Sequence, residues 1–244
     1  MSRRYSIKLR RKMRENFTKN GGHSTKEVNW DESQVKVWLD VRRKWQEEMR
    51  PLANFTATAS FPGLSTLPRN SMNSAKLFPN REIMLSELIL DGFRIIEVGS
   101  QEGKFAEFLA RVKPNVSLIA IDIYTGLIKE RGVLTGMNNV QVLEGDSSSI
   151  LNTLSPKFDL IYIDGDHAYD GVQKDAASAD FLLGINGLMV FNDYTPWSYL
   201  EQIPYGIPQV VHELVESGCY EIVGFAFHPW GYHDIALKKI NNRE

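Results

Sequence analysis

From residue 94 onward, short apolar runs alternate with helix-compatible segments. The runs are Arg94–Val98, Ser117–Asp122, Val140–Leu143, Phe158–Asp164 and Leu188–Asp193. Between them, Lys104–Lys113 sets Phe105, Phe108, Leu109 and Val112 on one helical face. A second helix, Tyr169–Leu183, ends at Gly184 before an Asn186-Gly187 turn. Near-continuous apolar runs separated by helices predict a parallel sheet covered on both faces. A helix over Ile207–Ser217 and two strands, Glu221–Phe227 and Asp234–Ile240, close the pattern. Only the stretch His228 to His233 separates those strands, so they pair antiparallel at the sheet end. The predicted architecture is α/β: a doubly wound, mostly parallel, seven-stranded sheet with a C-terminal antiparallel hairpin.

The first 80 residues follow another rule. Residues 1–29 are basic and polar, broken by Asn20-Gly21-Gly22, and read as a flexible head. Asp31-Glu32-Ser33-Gln34 suits a helix start, after which Trp38, Val41, Trp45 and Met49 share one face up to Pro51. Residues 51–80 hold Pro51, Pro62, Pro68 and Pro79 among many Ser, Thr and Asn, the composition of a long lid-like loop. Arg81–Asp91 then predicts a helix carrying Ile83, Met84, Leu88 and Ile89. The expected organisation is a basic head (1–29), a helical extension with its loop (30–80) and a main domain (81–244). The extension would cover the substrate mouth or build a homo-oligomer such as a dimer.

Composition narrows the class. With 43% apolar and 24% charged residues, the 244-residue chain is globular in type. Its single cysteine, Cys219, can form neither an internal disulfide nor a CxxC zinc site, which favours a reducing compartment. No apolar run approaches the length that spans a bilayer, so the expectation is a cytoplasmic protein without a membrane partner. The near-neutral balance of 28 Lys+Arg against 30 Asp+Glu hides an asymmetry. Residues 1–50 hold 14 basic and 7 acidic side chains, and the remainder 14 and 23. Seven of the first fourteen residues are Lys or Arg, enough to track phosphates, although a solvated tail has the same composition.

In a doubly wound sheet, ligands bind beyond the carboxyl ends of the strands. Here those ends are Glu97-Val98-Gly99-Ser100, Asp122, Glu144-Gly145-Asp146, Asp164-Gly165-Asp166-His167 and Asn192-Asp193. Gly99 and Gly103 allow a tight turn and a close ligand before the helix at Lys104. Glu97, two positions earlier, would repel a pyrophosphate and attract an ammonium. The full G-x-G-x-x-G of dinucleotide binders is absent, which argues against an NAD-dependent oxidoreductase. Asp122 stands where a carboxylate can take both hydroxyls of a ribose. Asp146 could accept from an adenine amino group or simply cap a helix over Ser147–Leu154.

These strand ends, with Phe158-Asp-Leu-Ile-Tyr-Ile-Asp164-Gly-Asp-His167 and the closing hairpin, resemble a class I S-adenosylmethionine-dependent methyltransferase over residues 81–240. Ile163-Asp-Gly-Asp-His-Ala-Tyr-Asp-Gly-Val172 and Gly187-Leu-Met-Val-Phe-Asn-Asp-Tyr194 resemble the small O-methyltransferases that include macrocin-type and cephalosporin-hydroxylase-type members. The resemblance implies a Rossmann-like fold in which Gly99, Ser100 and Gly103 line the methionine end of the cofactor. Asp122 would hold the ribose, and Asp146 with Ser147 the adenine. It also implies that Asp164, Asn192 and Asp193 bind Mg²⁺ or another divalent cation, a hard-oxygen set suited to such an ion. The Asn-Asp order departs from the Asp-Asp or Asp-Asn of those relatives. Asp166 and His167 are the candidate catalytic bases, since an imidazole titrates near working pH.

The expected reaction is methyl transfer to a hydroxyl of a small molecule, a sugar or natural product. Two rivals stay open: a nucleic-acid methyltransferase docking through the basic head, and a non-catalytic S-adenosylmethionine-binding protein. Tyr169, Tyr194, His228, Trp230, Tyr232 and His233 are expected chiefly as packing residues.

Overall fold

The computed structural model describes residues 65–155, 157–200 and 203–242, together with Ser33, Lys36 and Asp40. Those three positions are helical and fall inside the helix predicted from Asp31. The basic head and the apolar face of Trp38, Val41, Trp45 and Met49 lie outside the described residues, as does the stretch 51–64. The chain divides into two compact units, Met1–Pro62 and Gly63–Glu244. The elements below belong to the second.

In chain order they are β1 (Lys76–Phe78), α1 (Arg81–Leu88), β2 (Arg94–Val98), α2 (Lys104–Arg111), β3 (Ser117–Asp122) and α3 (Gly126–Arg131). There follow β4 (Val140–Glu144), α4 (Ser147–Leu151), β5 (Phe158–Ile163), α5 (Tyr169–Leu182) and β6 (Leu183–Phe191). A short ribbon of β7 (Trp197–Ser198) and β8 (Ile203–Pro204) precedes α6 (Ile207–Glu216), β9 (Tyr220–Ala226) and β10 (Asp234–Lys239). The main sheet has the order β1-β9-β10-β6-β5-β2-β3-β4. Only β10 runs against the rest.

The seven expected strands are present, and β1 adds an eighth at the edge. Its three residues lie in the stretch read as loop, where length and neighbouring prolines conceal any period. Pairing with β9 makes it a strand: Lys76, Leu77 and Phe78 sit opposite Gly224, Phe225 and Ala226. Phe78 is buried there, and its carbonyl accepts from Phe227 N at 2.9 Å.

Strand residues alternate between two cores, which explains why the runs look continuously apolar. Ile95, Leu118, Leu160, Leu188 and Val190 face α1, α2 and α3, where Met84, Leu85, Ala106, Leu109 and Ile128 meet them. Ile96, Val98, Ile121, Ile161, Ile163, Met189 and Phe191 face α4, α5 and α6. Each fully buried aliphatic side chain contributes about 1.5–3 kcal/mol, so both helical layers are tightly held.

The chain runs outward from β2 to β3 and β4, then returns to place β5 on the other side of β2. That reversal opens a crevice above β2 and β5, where ligands bind in sheets of this kind. Backbone pairing continues past the strand ends and keeps the loops level. Asp164 N donates to Val98 O at 2.8 Å, Gly99 N to Ile121 O at 2.8 Å, and Asn192 N to Ile163 O at 3.0 Å.

Candidate active site

Glu97 lies on the face of β2 that meets α1 and α2, in register with Tyr162 of β5. It is 1% exposed, and Ser100 Oγ donates to its Oε2 at 2.5 Å. Burial pushes this carboxyl up to about 8, against the opposing pull of the Ser100 hydrogen bond and the Arg81 charge. Gly99 has φ +87°, and a Cβ there would overlap the Asp164 carbonyl oxygen. The two loops at the switch point therefore touch backbone to backbone, a contact that only glycine permits. Gly103, at φ +78°, is the N-cap of α2.

Asp122 ties the glycine loop to the loop after β3. Its Oδ2 accepts from Gln101 N at 2.7 Å and its Oδ1 from Tyr124 N at 2.9 Å. Each carboxylate oxygen has a second lone pair, so the group can still accept from ribose hydroxyls. At the end of β4, Glu144 accepts from Thr125 N at 3.0 Å and from the Thr125 hydroxyl. Asp146 caps α4, its Oδ1 accepting from Ser149 N at 2.8 Å and Ser148 Oγ at 2.9 Å. Those hydrogen bonds hold Glu144 and Asp146 below the usual carboxylate range. Ser147 Oγ donates to Asp175 Oδ1 at 2.6 Å.

The ends of β5 and β6 converge on His167. Its Nε2 is 3.6 Å from Asp164 Oδ1 and 3.6 Å from Asp193 Oδ2. The ring stacks on Tyr205 with centroids 4.5 Å apart and planes 17° from parallel. Asn192 Nδ2 donates to Asp164 Oδ1 at 2.8 Å. Asp193 has φ +55°, a left-handed conformation for a non-glycine residue, at the turn that brings its carboxylate beside the imidazole. Asp164, His167, Asn192 and Asp193 are thus one cluster.

Asp166 has a different engagement. It is exposed, and its Oδ1 accepts from Ala168 N at 2.9 Å at the entrance to α5. Its side chain also lies against Gly171, with no room for a Cβ between them. An extended backbone would have put it beside Asp164; the turn into α5 redirects it.

The residues expected to hold a divalent cation come together here, with their side chains turned to one another and to His167. Asn192 turns its amide nitrogen, rather than its carbonyl oxygen, toward Asp164. Asp164 and Asp193 face an imidazole nitrogen between them. Among the described residues no group of three or more His, Cys, Asp or Glu is arranged to hold a metal ion.

Four neighbouring residues were not singled out from the sequence. Arg81 Nη1 donates to Tyr162 Oη at 3.1 Å, and Tyr162 Oη donates to Asp234 Oδ2 at 2.5 Å. Tyr162 and Asp234 are fully buried or nearly so. Burial pushes Asp234 up to about 7, with the Tyr162 hydrogen bond and Arg81 opposing it. Asp175 is also buried, and desolvation raises it to about 6. A signal for Asp175 exists: it shares the inward face of α5 with Val172, Ala176, Ala179 and Leu182.

Of the aromatic residues set aside as packing groups, Tyr232 is buried and Tyr169, Tyr194 and His233 are half-buried, while His228 and Trp230 are exposed. Tyr169 Oη donates to Glu213, and the Tyr232 hydroxyl is 3.0 Å from Ser198 Oγ. Tyr194 Oη lies 2.9 Å from His212 Nε2, and His212 Nδ1 is 2.7 Å from the Ser65 carbonyl. A carbonyl only accepts, so Nδ1 carries the proton and Nε2 accepts from Tyr194.

Residues 96–194 match the family of methyltransferase domains. That segment resembles methyltransferase domains. The fold is shared with the O-methyltransferase TomG of Streptomyces achromogenes, a protein of tomaymycin synthesis solved with S-adenosylmethionine. That likeness has a TM-score of 0.53 and 16% identity over 89% of this chain and 94% of TomG. An uncharacterised protein of Acanthamoeba polyphaga mimivirus is 26% identical over 151 residues, 55% of this chain and 68% of the viral one. A tRNA (guanine-N(7)-)-methyltransferase of Streptococcus suis is 33% identical over 72 residues. The chain spans about a third of that enzyme's length, 34%, through 28% of its own. Among the described residues no helix is long and apolar enough to cross a membrane.

The residues above the sheet fit S-adenosylmethionine. Glycines keep the Gly99 turn clear of side chains, Asp122 offers open lone pairs, and Glu97 is an acid suited to an ammonium.

Proposed function

We propose that the protein transfers a methyl group from S-adenosylmethionine to a hydroxyl of a small molecule, a sugar or natural product, with His167 as the base. The observation that carries the reading is the His167 ring, seated between two carboxylates and against Tyr205 at the mouth of the crevice. Bound S-adenosylmethionine supplies an electrophilic methyl on a sulfonium. As the acceptor oxygen bonds to that carbon and the carbon–sulfur bond breaks, the hydroxyl proton passes to His167 Nδ1, since Nε2 faces two carboxylates, which only accept. Asp164 and Asp193 counter the charge the ring gains, and Tyr205 holds its plane. The acids around the mouth disfavour a phosphate-rich acceptor.

Calorimetry with S-adenosylmethionine and S-adenosylhomocysteine tests the cofactor, and binding of neither would end the proposal. His167→Ala should keep S-adenosylhomocysteine affinity while slowing methyl transfer to a hydroxylated acceptor roughly 100-fold or more. A rate unchanged by EDTA would leave the transfer to His167 alone, and a rate lost with EDTA would assign Asp164, Asn192 and Asp193 to a divalent cation.

A second reading rests on the tRNA-modifying relative and on the seven Lys or Arg among the first fourteen residues. A nucleic-acid acceptor docked on that head would show RNA binding that weakens steeply with salt and vanishes on removal of residues 1–29.

A further inference from the structure

The amino-acid end of S-adenosylmethionine carries two opposite charges, and Glu97 accounts only for the ammonium. Arg81 is the cation that lies near Glu97 and can take the other charge. It is the first residue of α1, whose N-cap Asn80 accepts from Ile83 N at 2.8 Å. Its guanidinium lies 4.1 Å above the ring of Phe105, two positions after Gly103 in the first turn of α2. Its hydrogen bond to Tyr162 brings it beside the strand neighbour of Glu97. One clamp thus joins the first turn of α2, β5 and the start of α1.

The guanidinium has five N–H donors, and Tyr162 takes one of them. Glu82, at 3.6 Å from Nε, forms a looser pair, and the side chain keeps 29% of its surface open. Arg81 is the cation whose field acts on Glu97, Tyr162 and Asp234 alike. Stacking on an aromatic ring and a fixed hydrogen bond pre-organise the planar fork for a carboxylate.

We propose that Arg81 binds the carboxylate of the cofactor's amino-acid end, held in position by Phe105 and Tyr162. The assignment rests on the methyl-transfer reading above, because it presumes that cofactor. It makes Arg81 a binding residue with a ligand partner of its own, beyond balancing the buried Asp234.

The test uses the full chain and two ligands. S-adenosylmethionine has both charges; its decarboxylated analogue keeps the ammonium and lacks only the carboxylate. Calorimetry on the wild type should show the analogue bound at least about 10-fold more weakly, the loss expected for a charge-assisted hydrogen-bonded pair. Arg81→Gln should weaken S-adenosylmethionine by a similar factor and leave the analogue unchanged, closing the gap between the ligands. Arg81→Lys, which keeps the charge without the fork, should fall between. Equal wild-type affinities would overturn the proposal, and this measurement needs no folded variant. Equal weakening of both ligands in Arg81→Gln would overturn it too, by showing a structural role. A wild type that binds neither ligand would instead fail the methyl-transfer reading itself.

Discussion

The two ends of the cofactor crevice are both furnished with strand-end acids, yet they treat them in opposite ways. On the β3–β4 side, Asp122, Glu144 and Asp146 accept hydrogen bonds from the amides and hydroxyls of their own loops. Glu144 and Asp146 are held ionised by those donors, their values lowered. On the β2–β5–β10 side, Glu97 and Asp234 lie in the dry layer under the crevice, their values raised to about 8 and about 7. The same residue type at the same topological position is a permanent anion at one end and a retained proton at the other. Environment decides which: donors from adjacent loop backbone on one side, apolar walls and Tyr162 on the other. An ammonium arriving beside Glu97 would favour its ionised form, so binding there would release a proton.

The largest expected effect tests the buried end. The folded chain keeps the Glu97 proton to higher pH than the unfolded chain does. Its contribution is therefore full below the ordinary glutamate value near 4.5 and is lost as pH climbs to about 8. Urea unfolding of the wild type across that window should show a loss on the order of 3–5 kcal/mol that Glu97→Gln lacks. Asp234 and Asp175 slope in the same direction and remain in both proteins, so the difference between the two curves isolates Glu97. Parallel curves would mean that Glu97 is charged in the folded state, and the contrast between the two ends would collapse.

A smaller effect belongs to the exposed end. Asp122→Ala releases the amides of Gln101 and Tyr124 together and should weaken S-adenosylhomocysteine about 10- to 100-fold, as read by calorimetry. The smallest belongs to Asp146. If capping α4 is its main work, Asp146→Ala should lower the melting temperature by a few degrees, and Asp146→Asn should restore it. A large affinity loss in Asp146→Asn with an unchanged melting temperature would give Asp146 a direct part in adenine binding instead.

The sequence made one of these ends far more legible than the other. Asp122, Asp146 and Asp164 each close an apolar run, so periodicity alone marks them as crevice residues. Arg81, Tyr162 and Asp234 carry no such mark. They stand 81 and 72 residues apart along the chain and meet only when β5 is laid between β2 and β6 with β10 beyond. Tyr162 also hides inside an apolar run as an ordinary aromatic. His167 was legible as a candidate base and Asp164 and Asp193 as site residues, but two details were not: the turn into α5 withdraws Asp166, and Tyr205 arrives from beyond the β7–β8 ribbon. The metal expectation came from the family resemblance and the hard-oxygen residue types, while the orientation of the Asn192 amide is a property of packing.

The added strand β1 has a consequence for how the protein can be handled. Without it, β9 would end the sheet as a seven-residue edge carrying Ile222, Val223 and Phe225, a ladder able to recruit strands from other chains. β1 covers Gly224–Ala226 of that edge and is itself only three residues long, with a lysine at its start. A clip by a protease, or a shortened gene product that begins at Arg81, would keep the crevice residues named above and still uncover this ladder. The price would be paid in solubility at high concentration, well before any loss of cofactor binding.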